Sequence, residues 1–182
     1  MYMKKTALAI LAMSMFAASS AMAASPASEL SASGNISSTK SSPGSGKSDQ
    51  INATVGYGYY FTPRLVGKVV VFINTTESKS GTTTSKSGTE AYGLGAKYYF
   101  GDAVKSAWVP YVFADIMTIS IKYDTGTGTG TGTDVGVGVS NFITESVSFD
   151  IEGKATSNST SFAGTTTTSD GTSLNFGFTA RF

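Results

Sequence analysis

An all-β chain of eight antiparallel strands, closed as an up-and-down transmembrane β-barrel, is the fold class the sequence predicts, and three observations carry it. The last nine residues alternate strictly: Leu174, Phe176, Phe178, Ala180 and Phe182 are apolar, and polar residues or glycine stand between them. Period two marks a strand with different media on its two faces, as lipid and a polar interior would supply, although a half-buried soluble strand alternates in the same way. The chain also begins with an export signal, and its polar connections alternate between long and short.

The export signal is read from its three parts. Lys4 and Lys5 form a positive start, Thr6 to Phe16 is mostly apolar, and Ala21-Met22-Ala23 supplies a small-x-small cleavage site, so residues 1–23 are expected to be removed and 24–182 to form one barrel domain. Met3-Lys4-Lys5 is the more familiar start for such a segment. The apolar run is too short to span a bilayer as a helix.

Composition removes several chemistries. With no cysteine and no histidine in 182 residues, a disulfide framework, thiolate or imidazole metal sites, Ser-His catalysis and His-ligated haem are all excluded. A formal net charge of +1 with mixed signs gives no reason to expect a nucleic-acid partner. Mean hydropathy is near zero, as a barrel that hides its apolar residues at alternate positions should show.

Each strand follows from its alternation. Glu29 to Thr39 sets Leu30, Ala32, Gly34 and Ile36 against Ser31, Ser33, Asn35 and Ser37, and supplies the first strand of an even set. Asp49 to Phe61 follows, with Ile51, Ala53, Val55, Tyr57, Tyr59 and Phe61 on one face. Leu65 to Asn74 is nearly all apolar, but Lys68 assigns the even positions to a polar interior. Thr89 to Phe100 directs Tyr92, Leu94, Ala96, Tyr98 and Phe100 outward, with Lys97 inward.

Trp108 to Asp124 is inconsistent in parity. Asp115 places odd positions inside, yet farther on Ile119, Ile121 and Tyr123 are apolar while Thr118, Ser120 and Lys122 are polar. A β-bulge within Ile116 to Thr118, or a strand rising clear of the bilayer, would reconcile the halves. Asp134 to Phe142, Val147 to Thr156 and Thr172 to Phe182 complete the set.

Between the strands lie long polar connections at Lys40 to Ser48, Thr75 to Gly88, Asp124 to Thr133 and Ser157 to Gly171. The short ones are Thr62 to Arg64, Gly101 to Ala107 and Ile143 to Ser146. The Thr-Gly repeat from Thr125 to Thr133 reads as a flexible low-complexity loop. Long loops outside and short turns in the periplasm are the outer-membrane pattern, and an even strand number returns both termini to the periplasmic side. Aromatic residues gather beside the short turns: Tyr59, Tyr60, Phe61, Tyr98, Tyr99, Phe100, Trp108, Tyr111, Phe142 and Phe182. Of these, Tyr59, Phe61, Tyr98, Phe100 and Trp108 are expected to form a periplasmic girdle, where ring and polar edge each find a suitable medium.

Two stretches carry a family resemblance: Gly93-Leu94-Gly95-Ala96-Lys97-Tyr98-Tyr99-Phe100 leading into Val109-Pro110-Tyr111-Val112, and Asn141-Phe142-Ile143-Thr144-Glu145-Ser146-Val147 leading to the final strand. They resemble the strand-turn-strand junctions of the small outer-membrane β-barrel family that includes OmpX, the opacity proteins and the OmpA membrane domain, and more distantly OmpW. The resemblance implies a bacterial outer-membrane location, a non-enzymatic monomer, and lipid and lipopolysaccharide as surroundings. It also implies that the assembly machinery recognises the last strand, here through Phe176, Phe178 and Phe182.

The candidate site is the interior charge set Lys68, Lys97, Asp115, Asp150, Glu152, Lys154 and Arg181, with Asp150, Glu152 and Lys154 expected at its centre because they alternate inward on one strand. A structural plug of paired charges is the first reading, since eight strands leave room only for side chains; a narrow path for ions or small hydrophobic solutes is the alternative. Asp150 and Glu152 offer two carboxylates on one face, but no nucleophile and base accompany them, so no enzyme and no cofactor are expected. Lys40, Lys47, Lys79 and Lys86 in the first two loops suit the anionic sugars and phosphates of the outer leaflet, or are solvated, and the loops could take an extracellular ligand. Asn74-Thr75-Thr76 and Asn158-Ser159-Thr160 match a glycosylation pattern by chance. A soluble exported β-sandwich is the remaining reading.

Overall fold

In the computed structural model the described residues are 28–40, 47–80, 83–101, 108–123 and 126–182. The expected signal segment and the loop and turn stretches at 41–46 and 102–107 lie outside them. Eight strands form one closed barrel: β1 (Ser28–Lys40), β2 (Lys47–Tyr60), β3 (Leu65–Ser80), β4 (Thr83–Tyr99), β5 (Trp108–Tyr123), β6 (Gly126–Phe142), β7 (Val147–Phe162) and β8 (Thr165–Arg181). Every neighbour pairs antiparallel, so the backbone groups that lipid could not satisfy are satisfied across strands, except along the facing edges of β1 and β8 beyond Gly34 and Phe176. Following the register once round from Phe176 through Gly34, Ala53, Ile73, Glu90, Ser120, Thr129 and Ser161 returns to β8 at Thr166, ten residues away. That stagger over eight strands corresponds to a strand tilt of about 40°.

The alternation places side chains as the parity of each strand requires. Tyr57, Tyr59, Val69, Val71, Leu94, Val112, Ile116, Val135, Val137, Leu174 and Phe176 stand exposed on the outer wall. Glu29, Val66, Val70, Lys97, Tyr99, Asp115 and Arg181 are buried within. Tyr59 and Phe61, and Tyr98 and Phe100, meet edge to face on the outer wall beside the short turns, with centroids 5.7 and 5.4 Å apart. Phe61 also lies across Gly67, where an added Cβ would come within 2.5 Å of its ring.

Three expectations are corrected. No bulge interrupts β5: its pairing runs unbroken from Lys122 to Tyr111 with β4 and from Trp108 to Tyr123 with β6. Odd parity persists, so Met117 and Ile119 point inward and are buried while Thr118, Ser120 and Lys122 point outward. Three of the long connections are not loops. Residues 75–80 pair with 83–88, 126–133 pair with 116–123, and 157–162 pair with 165–170, as hairpins that continue the wall. The Thr-Gly repeat is therefore strand: its glycines face Met117, Ile119 and Ile121 across the ladder, and its threonines take the outer face, where a β-branched residue packs well. The β7–β8 hairpin closes on two residues, Ala163 (φ 49°) and Gly164 (φ 80°), both left-handed as a tight hairpin turn demands.

The closing seam differs from the other seven. β1 and β8 share six residue pairs, Glu29 to Gly34 against Arg181 to Phe176, whereas the other seams share twelve to sixteen. Reciprocal backbone hydrogen bonds between Ser28 and Phe182, at 2.9 and 3.0 Å, fasten the end of it. Beyond Gly34 and Phe176 the two strands part, each continuing with its own hairpin partner.

Candidate functional site: the barrel interior

The interior is filled in layers. Nearest the short turns sits Glu29, whose carboxylate accepts hydrogen bonds from the Tyr60 hydroxyl at 2.6 Å and the Tyr99 hydroxyl at 3.0 Å, and pairs with Lys97 at 3.0 Å. Arg181 approaches the same carboxylate at 4.0 Å, and its guanidinium lies 4.2, 4.6 and 5.5 Å from the centroids of Phe142, Tyr99 and Tyr60. Its Nε and one terminal nitrogen have no hydrogen-bond partner among the described residues, so the three ring faces supply much of its compensation. Tyr60, Tyr99 and Tyr111 thus point into the barrel, unlike the outward rings beside them in sequence.

The next layer holds two cross-strand pairs. Lys68 meets Asp115 at 2.9 Å and rests 4.5 Å from the Phe113 ring, and Lys154 reaches across to Asp134 at 2.8 Å. Glu152 accepts from the Tyr111 hydroxyl at 3.3 Å, and Asp150 accepts from Ser148 at 3.0 Å and from Thr179. Tyr111 and Phe113 lie over Gly138 and Gly136 of β6, where an added Cβ would come within 2.3 and 2.4 Å of the rings. Glycine on that strand is what lets the aromatic faces fill the bore. The cavity left among these groups is about 30 Å³, room for roughly two waters.

All seven sequence-predicted charges face this interior, but their grouping is corrected. Asp150, Glu152 and Lys154 do not pair with one another: positions two apart on one strand are about 7 Å apart, while neighbours on adjacent strands are about 5 Å apart. Glu152 and Lys154 find their partners on other strands, Asp150 bonds to Thr179 on β8 and to Ser148 on its own strand, and the most connected group is Glu29. Glu29 and Asp134 were both missing from the predicted set. Their signals were present, since Glu29 shares parity with Ser31, Ser33 and Asn35, and Asp134 with Gly136, Gly138 and Ser140.

Toward the hairpins the lining changes character. Val70, Ala91, Met117 and Ile119 form a buried apolar cluster joined by Phe72 and Ile121. On the opposite wall four asparagines join four strands: Asn35 donates to Asn175 at 2.6 Å, Asn52 donates to Asn35 at 2.7 Å, and Asn74 donates to Asn52. Asn74 and Asn158, first residues of the chance glycosylation patterns, both line a cavity inside the barrel. This cavity measures about 220 Å³ and is lined by the apolar side chains Phe72, Met117, Ile119 and Ile121 and by polar ones that include Asp134 and Lys154.

Among the surface lysines, Lys79 and Lys86 flank Glu77 at 3.2 and 3.8 Å on the β3–β4 hairpin. The hydrogen bond and charge of Lys79 hold the Glu77 carboxyl below its ordinary range. The side chains of Lys40 and Lys47 lie outside the described residues. Lys122 and Glu90 pair at 2.9 Å on the outer face of β5 and β4, both exposed.

Solved structures share this architecture. The chain aligns with neisserial surface protein A (NspA) at a TM-score of 0.61 and 20% identity, covering 86% of this chain and 97% of that one. The N-terminal barrel of Pseudomonas aeruginosa OprF gives 0.52 and 17% identity over 87% and 98%, and the P. aeruginosa outer membrane protein OprG gives 0.50 and 14% over 87% and 97%. No curated protein matches by sequence. The model of the outer membrane protein beta-barrel domain matches residues 8–182, nearly the whole chain, and the chain belongs to that family.

Proposed function

We propose that this outer-membrane barrel is a non-enzymatic structural or surface-interaction protein, monomeric, with its bore closed by side chains and its hairpins presented to the outside. The observation that carries the closed bore is the cross-strand pairing of Lys68 with Asp115 and Lys154 with Asp134 around a cavity of about 30 Å³. Surface interaction is supported by the three long hairpins, whose outer faces carry Thr, Ser, Lys and Glu in place of apolar residues. Lys79 and Lys86 outnumber the Glu77 they share, which leaves that hairpin cationic and suited to anionic sugars and phosphates.

The alternative, a narrow OmpW-like channel for small hydrophobic or ionic solutes, draws its support from the 220 Å³ cavity above the charge layer. Planar-bilayer recording separates the two. The closed barrel gives no resolved current steps; Asp134→Asn and Lys154→Gln each introduce leak, and the double change reduces it. Ion-selective steps in the unaltered protein would sink the closed reading. Heat-modifiable gel migration together with envelope fractionation tests the location, and a soluble periplasmic protein without a heat shift would contradict it. Deleting the β3–β4 hairpin tip should lower binding to lipopolysaccharide-containing vesicles while the heat shift is kept.

A further inference from the structure

The seam between β1 and β8 stops short of the strands that form it. Pairing ends at Gly34 and Phe176, yet β1 runs on to Lys40 and β8 begins at Thr165. Over that stretch each strand is bonded on one side only among the described residues, β1 to β2 and β8 to β7. The parting begins at lipid-facing depth: Leu174 follows Phe176 on the exposed outer face and stands in register with Gly153 and Val137. Hydrocarbon offers no hydrogen bond to an open strand edge, so such an edge calls for a partner.

Continuing the same register matches the two edges residue by residue. The existing pairs run from Glu29–Arg181 to Gly34–Phe176. Next come Asn35 and Asn175, whose side chains already meet, Asn35 donating to Asn175 at 2.6 Å. Then Ile36 falls opposite Leu174, both on the outer face and 81% and 56% exposed with the strands apart. Beyond them Ser37 falls opposite Ser173, Ser38 opposite Thr172, Thr39 opposite Gly171, and Lys40 opposite Asp170. Apolar meets apolar, hydroxyl meets hydroxyl, and the only cation of the two edges meets the only anion, as favourable cross-strand pairs do. A slip of two residues either way would set Lys40 against Thr172 or Thr168 instead.

We propose that the upper seam is a zipper with two states: open, as in this structure, and closed, with β1 and β8 paired on to Lys40 and Asp170. The row Asn74, Asn52, Asn35 and Asn175 holds the edges together at the fork. Ser28 and Phe182 exchange both backbone bonds, and pairs of that kind alternate along an antiparallel seam. The closing bonds therefore come from the amides of Ile36, Ser38 and Lys40 on β1 and of Leu174, Thr172 and Asp170 on β8. The seam also sets how far the 220 Å³ cavity is walled on this side, because Ser169, next to the stretch, lines it. The device is independent of whether the bore below it is closed.

The chain has no cysteine, so an engineered pair reports the seam without background. The full barrel carrying Ser37→Cys and Ser173→Cys is refolded into phospholipid vesicles, exposed to a mild oxidant, then boiled and run unreduced on a gel. In the closed seam these positions face each other without mutual backbone bonds, the arrangement that brings side chains closest. The expected product is a cross-link within one protomer, formed about fivefold or more faster than with Ser37→Cys and Gly171→Cys, a slip away from contact. Asp170→Lys should slow it by a few-fold, what an exposed ion pair supplies, and adding Lys40→Asp should restore it. Hydrogen exchange on the unaltered barrel covers the case in which the cysteine variant does not fold. The amides of Ser38, Lys40, Thr172 and Asp170 should exchange within about tenfold of those of Ser37 and Ser173, which bond to β2 and β7. No cross-link within a protomer, equal rates at the slipped pair, or a cross-link only between two protomers would each overturn the proposal. Failure of the charge exchange to restore the rate, or free-edge exchange at those four amides, would do the same.

Discussion

The two halves of this barrel are built with opposite polarity. Toward the short turns the wall is apolar outside and charged within: Val112, Leu94 and the Tyr98–Phe100 pair face outward while Lys97, Glu29 and Arg181 face the bore. Toward the hairpins the same strands carry Thr118, Ser120, Lys122 and Glu90 outside, and Met117 and Ile119 inside. Parity never slips between the halves. What changes is the medium, because once the outer face meets water a strand stabilises itself as a soluble sheet does, with apolar residues inward. β5 records the crossing within one strand, and the exposed apolar Ile116 is the last outward residue of the membrane type on it.

The largest effect expected from breaking this contrast is in the charged half. Glu29→Ala leaves Lys97 and Arg181 buried without their carboxylate, and should destabilise the barrel by about 3–5 kcal/mol, read as a lower urea midpoint for unfolding from vesicles. Next comes the depth profile of the outer wall. Arginine at Val112 should cost about 2–4 kcal/mol, at Ile116 less, and at Ser120 nearly nothing if the bilayer ends between them. A flat profile across these positions would mean that β5 does not leave the bilayer between Ile116 and Ser120.

In the apolar half, Ile119→Ala should cost about 2–4 kcal/mol, whereas Thr118→Ala, its outward neighbour, should stay within about 0.5 kcal/mol. Equal costs would place Thr118 in a packed environment. The smallest change is in the β7–β8 turn, where Ala163→Gly relieves a left-handed alanine. It should stabilise the protein by about 1 kcal/mol, seen as a small rise in the temperature of the heat-modifiable shift.

The same contrast explains what was legible in the sequence. Alternation was readable where one face met lipid, so the lower parts of the strands could be located from period, with Lys97 among their inward residues; the exception is β3, nearly all apolar, whose faces were told apart by Lys68. In the upper parts both faces are small or polar, as in Thr125 to Thr133, and composition then imitates a loop although the repeat has a strand's period. Ile119 and Ile121 read as a displaced lipid face because the rule applied to them belonged to the other half. The partners of Asp150, Glu152 and Lys154 were hidden for a different reason: pairing runs across strands, and the register that brings Lys154 to Asp134 is a property of the closed sheet.

The short seam between β1 and β8 has a consequence in time. Its six pairs join the first strand to the last, so they are the contacts most distant along the chain. The other seven seams join consecutive strands and can form as each hairpin becomes available, while β1 holds an open edge until β8 arrives. Closing so long a loop is the slow, entropically costly step of such a topology. The cylinder therefore comes into being as a single late event: a chain halted before Phe176 is a curled sheet with two free edges, and the last few residues convert it into a wall.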